Sequence, residues 1–123
     1  MDDRGERITL GHGAGGRLTL ALIRDLFAAE LGNPWLEPLG DAAICRLPGE
    51  RIALTTDGFV VSPLFFPGGD IGSLAVNGTV NDLAVAGARP RYLTLGAILE
   101  EGLPLNDLRR VTASVAAAAR AAG

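Results

Sequence analysis

Proline and glycine cut this chain into short pieces. Gly32-Asn33-Pro34, Pro48-Gly49-Glu50, Pro67-Gly68-Gly69 and Gly87-Ala88-Arg89-Pro90 each interrupt a patterned segment. Proline has no backbone N–H and a fixed φ, and glycine takes the positive-φ positions of turns, so these clusters end regular elements. Each segment between them has room for one helix or one or two strands. The whole, 123 residues, is the length of a single domain, taken here as residues 1–123.

Residues 1–8 read as a polar, frayed start. From Leu18 to Leu31, Leu18, Leu22 and Leu26 recur at helical spacing with Ala21 and Ala28, which predicts a helix capped by Thr19 or an earlier residue. Trp35 to Gly40 is a loop. Ala42 to Leu47 and Arg51 to Thr56 read as strands joined by the turn at 48–50, a hairpin; Phe59-Val60-Val61 either extends its second strand or begins an edge. Asp70 is a good N-cap for a helix from Ile71 to about Ala86. Arg91 to Leu99 alternates like a strand. Pro104 suits the first turn of a last helix running to Ala122 through an alanine-rich tract. Helix, strand, strand, helix, strand, helix is an α+β order: a small, mainly antiparallel sheet with helices on one face. The bare sheet face and free edges predict a sheet-to-sheet homodimer.

Charge and residue counts narrow the chemistry. Net charge is −3, with 11 basic and 14 acidic residues, which disfavours a nucleic-acid partner. Every basic residue is arginine, so neither a Walker-A loop nor a catalytic lysine is present. Cys45 is the one cysteine and His12 the one histidine, which excludes an internal disulfide and a multi-histidine metal site. A metal would be held by oxygen, as Mg²⁺ or Ca²⁺ is. No apolar run reaches the ~18 residues of a membrane span. The N-terminus is charged, without the apolar core of a signal peptide, so the expectation is a cytoplasmic protein with no membrane partner.

Three features carry candidate chemistry. Gly11-His12-Gly13-Ala14-Gly15-Gly16 precedes a helix, as phosphate-cradling loops do; a plain N-terminal loop has the same composition. In a hairpin, Asp41 and Asp57 come to the same sheet end. Two carboxylates there repel unless a cation such as Mg²⁺ lies between them; both are equally good turn caps. On the central helix Asp70, Ser73, Asn77 and Asn81 form one polar stripe opposite Leu74, Val76, Val80, Leu83 and Ala84. Asparagine and aspartate disfavour helix interiors, so the stripe fits a ligand cleft better than a merely wetted face, which stays the simpler alternative.

Gly-Asp-Ala-Ala-Ile at 40–44, Thr-Thr-Asp-Gly-Phe-Val-Val at 55–61 and Asn-Asp-Leu-Ala-Val-Ala-Gly-Ala-Arg-Pro at 81–90 resemble the N-terminal domain of the aminoimidazole ribonucleotide synthetase superfamily. Within it, His12–Gly16, the run Ser62–Asp70 and Leu99-Glu100-Glu101-Gly102 resemble the HypE family of hydrogenase maturation proteins. The resemblance implies an ATP-dependent enzyme that dehydrates a carboxamide on its own C-terminal cysteine to a thiocyanate, the source of cyanide for the iron of [NiFe]-hydrogenase. It also implies ATP bound between two domains, dimerisation through the N-terminal sheets, and other maturation proteins as partners: a carbamoyl donor and an iron–cyanide acceptor complex. By the same resemblance Asp41, Asp57 and Asp82 gather Mg²⁺, and His12, Gly13, Gly15, Gly16, Thr56, Asp57 and Asn81 meet the nucleotide. Cys45 lies in a predicted strand and does not match the family's terminal cysteine, so no catalytic residue is assigned. The family's second domain is expected to lie outside this chain, which alone should be inactive. Gly40 and Gly78 stand where relatives carry an acidic residue and an amide, which leaves the metal ligands open. The arginines nearest the motifs are Arg17, Arg89 and Arg91. Alternatives are another ATP-using member, such as a selenophosphate synthetase, or a non-catalytic dimerisation module.

Overall fold

A computed structural model describes residues 5–49 and 51–123. The chain opens on a 3-10 turn at Leu10–Gly13. A continuous helical run follows: α1 (Arg17–Leu22), a π-helical turn (Ile23–Phe27) and α2 (Ala28–Leu31). Leu22, Leu26 and Phe27 all reach the core from this run. Its N-cap is Gly16, with no side-chain cap bond, so Thr19 is not the cap.

β1 (Phe65–Phe66) and β2 (Gly69–Asp70) form the only sheet among the described residues, an antiparallel pair with Phe65 opposite Asp70. Pro67 and Gly68 make the turn, and Gly68 has φ +95°, which suits the third position of a type II turn after proline. β2 runs directly into α3 (Ile71–Val85). Asp70 caps α3 as predicted: its Oδ1 accepts from the N–H groups of Gly72 (2.7 Å) and Ser73 (3.0 Å). Ser73 Oγ accepts from Asp70 N–H in return, at 3.1 Å, closing a capping box. The last helix, α4, spans Leu105–Ala122, with Pro104 as its N-cap, one position outside the first turn.

α3 and α4 cross at Gly72. A Cβ there would stand 2.5 Å from the Val111 carbonyl oxygen and 3.1 Å from Val115 Cγ2, so only glycine allows this approach. Val76, Val115, Ala116 and Thr112 are buried, and the Thr112 hydroxyl is satisfied within the helix by donating to the Leu108 carbonyl at 2.9 Å. Arg110 stacks its guanidinium 3.8 Å from the Phe65 ring centroid, joining α4 to β1. A second cluster packs Ile8, Leu26, Leu105 and Leu108 with Leu22, Phe27, Leu99 and Leu103.

The expected frayed start is corrected for the residues described. Ile8 is buried, its N–H donates to Leu103 O and its carbonyl accepts from Gly102 N–H, both at 2.8 Å. Leu105 N–H donates to Glu6 O at 3.0 Å, and Arg7 donates to Gly102 O at 2.7 Å. Residues 1–4 lie outside the described residues.

The α+β class holds, but its strand pair is not the predicted one. Segments 42–47, 51–56 and 91–99 carry no backbone ladder among the described residues; Glu50, in the expected turn, lies outside them. The Arg46 carbonyl instead accepts the Tyr92 hydroxyl at 3.0 Å, and Trp35 meets the Tyr92 ring edge-on at 5.1 Å. Ile44, Leu54, Val60 and Ile98 are 85% exposed or more. A strand is stable when both its edge groups and its apolar face find partners, and in one copy these side chains find no cover. No helix among the described residues is long and apolar enough to cross a membrane.

Candidate functional site

The glycine loop is tied down rather than slack. Thr9 N–H donates to His12 Nδ1 at 3.0 Å, and the Thr9 hydroxyl lies 3.0 Å from the same nitrogen. A ring nitrogen that accepts carries the lone pair, so the neutral imidazole holds its proton on Nε2. Thr19 closes the far side: its hydroxyl donates to His12 O at 2.7 Å and accepts from Gly15 N–H at 3.0 Å. Gly15, at φ +76°, provides the left-handed turn this requires. Three loop N–H groups are therefore engaged locally: His12's with Thr9 O at 3.0 Å, Ala14's with Gly11 O at 3.4 Å and Gly15's with the Thr19 hydroxyl. The space in front is open: a Cβ at Gly13, Gly15 or Gly16 would meet nothing within 4 Å. His12 is half-buried and these glycines are exposed.

The acidic candidates are all exposed: Asp41 in a bend, Asp57 after the 51–56 segment and Asp82 on α3. Asp57 Oδ1 accepts from Gly58 N–H at 2.8 Å. Asp82 Oδ2 accepts from the Thr55 hydroxyl at 3.2 Å, which joins the Thr-Thr-Asp-Gly motif to the Asn-Asp motif across 27 residues of sequence. Among the described residues no group of three or more His, Cys, Asp or Glu side chains is close enough to hold a metal ion. Among the described residues the hairpin that would bring Asp41 and Asp57 to one end carries no ladder, and they present no ready-made cage. The donor set nonetheless fits Mg²⁺, which takes one or two carboxylates and fills its octahedron with water and substrate phosphate.

The polar stripe of α3 divides in two. Asp70 and Ser73 are accounted for by the capping box. Asn77, Asn81 and Asp82 are exposed beyond it. Thr56 is exposed beside Thr55. Arg89 and Arg91 line a hollow against the end of α4 at Ala122 and Gly123, where positive charge complements a helix C-terminus. Arg17 and Arg24 flank Leu18, Leu20 and Ala21 on the first helical run. Cys45 is a half-buried free thiol. Sequence reasoning missed two residues here. Thr55 was visible only as part of its motif, and Thr19 has the right residue type for a cap but bonds the loop instead.

Residues 39–123 match the family described as AIR synthase related protein, N-terminal domain. The chain is 57% identical over 123 residues to carbamoyl dehydratase HypE of Azotobacter vinelandii, covering 100% of this chain and 36% of that protein. It is 52% identical over 121 residues to carbamoyl dehydratase HypE of Escherichia coli K12, covering 94% of this chain and 36% of that one. A crystal structure of hydrogenase maturation protein HypE in complex with ATP superposes with a TM-score of 0.89 at 56% identity, over 93% of this chain and 34% of that chain. The crystal structure of E. coli HypE superposes with a TM-score of 0.79 at 51% identity, over 85% of this chain and 34% of that chain. The chain thus spans about a third of the length of the curated relatives it matches.

Proposed function

The chain belongs to the AIR synthase related protein family, matching its N-terminal domain, and on that footing we propose that it forms the N-terminal, ATP-site part of a cytoplasmic carbamoyl dehydratase of hydrogenase maturation. One geometric observation carries this reading. The Thr55–Asp82 hydrogen bond, 3.2 Å, holds two separate motifs against each other, and each contributes a carboxylate, Asp57 and Asp82. The likeness to HypE with ATP supports the nucleotide. The relatives reported are HypE proteins, which favours this chemistry over selenophosphate synthesis.

In the proposed reaction the carbamoyl oxygen of a cysteine-bound thiocarboxamide attacks the γ-phosphorus of ATP, and ADP leaves. Phosphate then departs with that oxygen, both amide protons are lost, and the C≡N bond of a thiocyanate remains. The carrier cysteine would be the terminal one that the family resemblance implies, a position that Cys45 does not match. Mg²⁺, when bound with the nucleotide, would neutralise phosphate charge. Asp57 and Asp82, with Asp41, would hold it, and Asn81 and Thr56 would donate hydrogen bonds to the nucleotide. His12, as the Nε2–H tautomer, presents a donor toward anionic oxygen beside Gly13, Gly15 and Gly16. Carbamoyl transfer onto the cysteine and cyanide delivery to an iron complex require a donor and an acceptor protein.

We further propose a homodimer. Ile44, Leu54, Val60 and Ile98 stand bare in a single copy, and covering them against a second copy is favourable at about 25 cal/mol per Å².

The test of the site is Asp57→Asn and Asp82→Asn in the full-length protein. Each swap keeps size and removes a charge, so ATPase activity should fall at least tenfold, on the order of the 1.4 kcal/mol that one charge-assisted contact supplies, with the circular-dichroism spectrum unchanged. Asparagine caps turns as well as aspartate. Wild-type turnover in both variants would leave the carboxylates as turn formers.

A further inference from the structure

We propose that Gly78 is a positioning residue. Its missing side chain seats the Phe59 ring on α3 and thereby sets where Asp57 stands relative to Asp82. The inference rests on the reading of Asp57 and Asp82 as the Mg²⁺·ATP carboxylates.

A Cβ at Gly78 would lie 2.7 Å from Phe59 Cζ and 2.8 Å from Cε1, closer than carbon atoms pack. The ring therefore occupies the volume that any other residue at 78 would claim. Gly78 and Asp82 are four residues apart on α3, one turn along the same face. Thr55 bonds Asp82 at 3.2 Å and Phe59 covers Gly78, so the 55–59 segment touches that face at two points. Asp57 is the middle residue between them. No backbone ladder fixes this segment among the described residues, and these two side-chain contacts tie it to the helix. A glycine inside a helix costs about 1 kcal/mol relative to alanine, and at position 78 the close approach of Phe59 gives that cost a reason.

A size swap in the full-length protein tests the contact. Gly78→Ala adds a methyl where the ring sits. Phe59→Leu removes the ring atoms that meet it. Each single substitution should raise the calorimetric Kd for Mg²⁺·ATP, and the KM with it, by about threefold to tenfold, as coupled packing contacts do, with kcat within about twofold because the chemistry is untouched. The double variant, alanine facing leucine, should return KM to within about twofold of wild type. Additive losses in the double variant, or an unchanged KM in both singles, would overturn the role of Gly78. Phe59 is half-buried, so Phe59→Leu remains informative even if Gly78→Ala folds poorly. Asp57→Asn is assayed in parallel. If it retains wild-type KM and kcat, the carboxylate reading itself fails; if it is impaired while the swap has no effect, only the positioning role fails.

Discussion

Thr19 shows how a residue's type is readable before its partner is. A threonine at the start of a helical pattern is a good cap candidate, yet its hydroxyl bridges His12 O and Gly15 N–H and the cap is Gly16. The two uses compete for one hydroxyl, and the left-handed Gly15 decides in favour of the loop. Replacing Thr19 with valine removes both bonds, and the one that holds Gly15 N–H is worth about 1 kcal/mol net. Amide exchange at Gly15 should then quicken by about fivefold, while Thr19→Ser keeps the native rate. Equal exchange in the valine variant would mean that the loop is held by something other than this hydroxyl. The acidic candidates follow the same pattern. Asp57, Asp82 and Asp41 stand out in the sequence as carboxylates among small residues, but the Thr55 bond that orients Asp82 joins positions 27 residues apart and has no local signal.

Helices were legible and strands were not, for one physical reason. Helical bonds and caps are local, so Asp70, the Pro104–Ala122 tract and the leucine spacing of residues 18–31 place three helical segments to within a residue or two. A ladder needs a remote partner, and segments 42–47, 51–56 and 91–99 have the composition of strands without one. Ile8 was missed for a related reason: a lone apolar residue between Arg7 and Thr9 has no periodicity, and only its bonds to residues 102–103 reveal its place in the core. The α3–α4 crossing offers a test at this level. Gly72→Ala pushes a methyl against the Val111 carbonyl, a backbone atom that cannot turn aside. It should destabilise the domain by about 1–3 kcal/mol, read as a lowered urea midpoint. Asp70→Ala should cost about 1 kcal/mol through the lost cap. A neutral Gly72→Ala would mean that the two helices separate freely.

The molecule as a whole presents two kinds of unfinished surface, apolar side chains on the extended segments and exposed polar groups at Asp57, at Asp82 and in the glycine loop. The first predicts association. Sedimentation at about tens of micromolar, where micromolar affinities register, should show a dimer; a strict monomer would contradict it. Leu54→Asp, placing charge on a side chain 85% exposed in one copy, should shift that equilibrium to monomer without unfolding the domain. The second surface predicts a site completed by other parts of the protein. The carboxylates and loop glycines are exposed, and a phosphate contact in water is worth much less than one in a closed cleft. Calorimetric titration with ATP and Mg²⁺, run on residues 1–123 and on the full-length protein, measures this directly. Affinity at least tenfold weaker for residues 1–123, with no dehydratase activity, is the expected result, as roughly 1.4 kcal/mol of lost contact would produce. Equal affinity in the two would place the whole nucleotide site within this chain and contradict a cleft shared between domains.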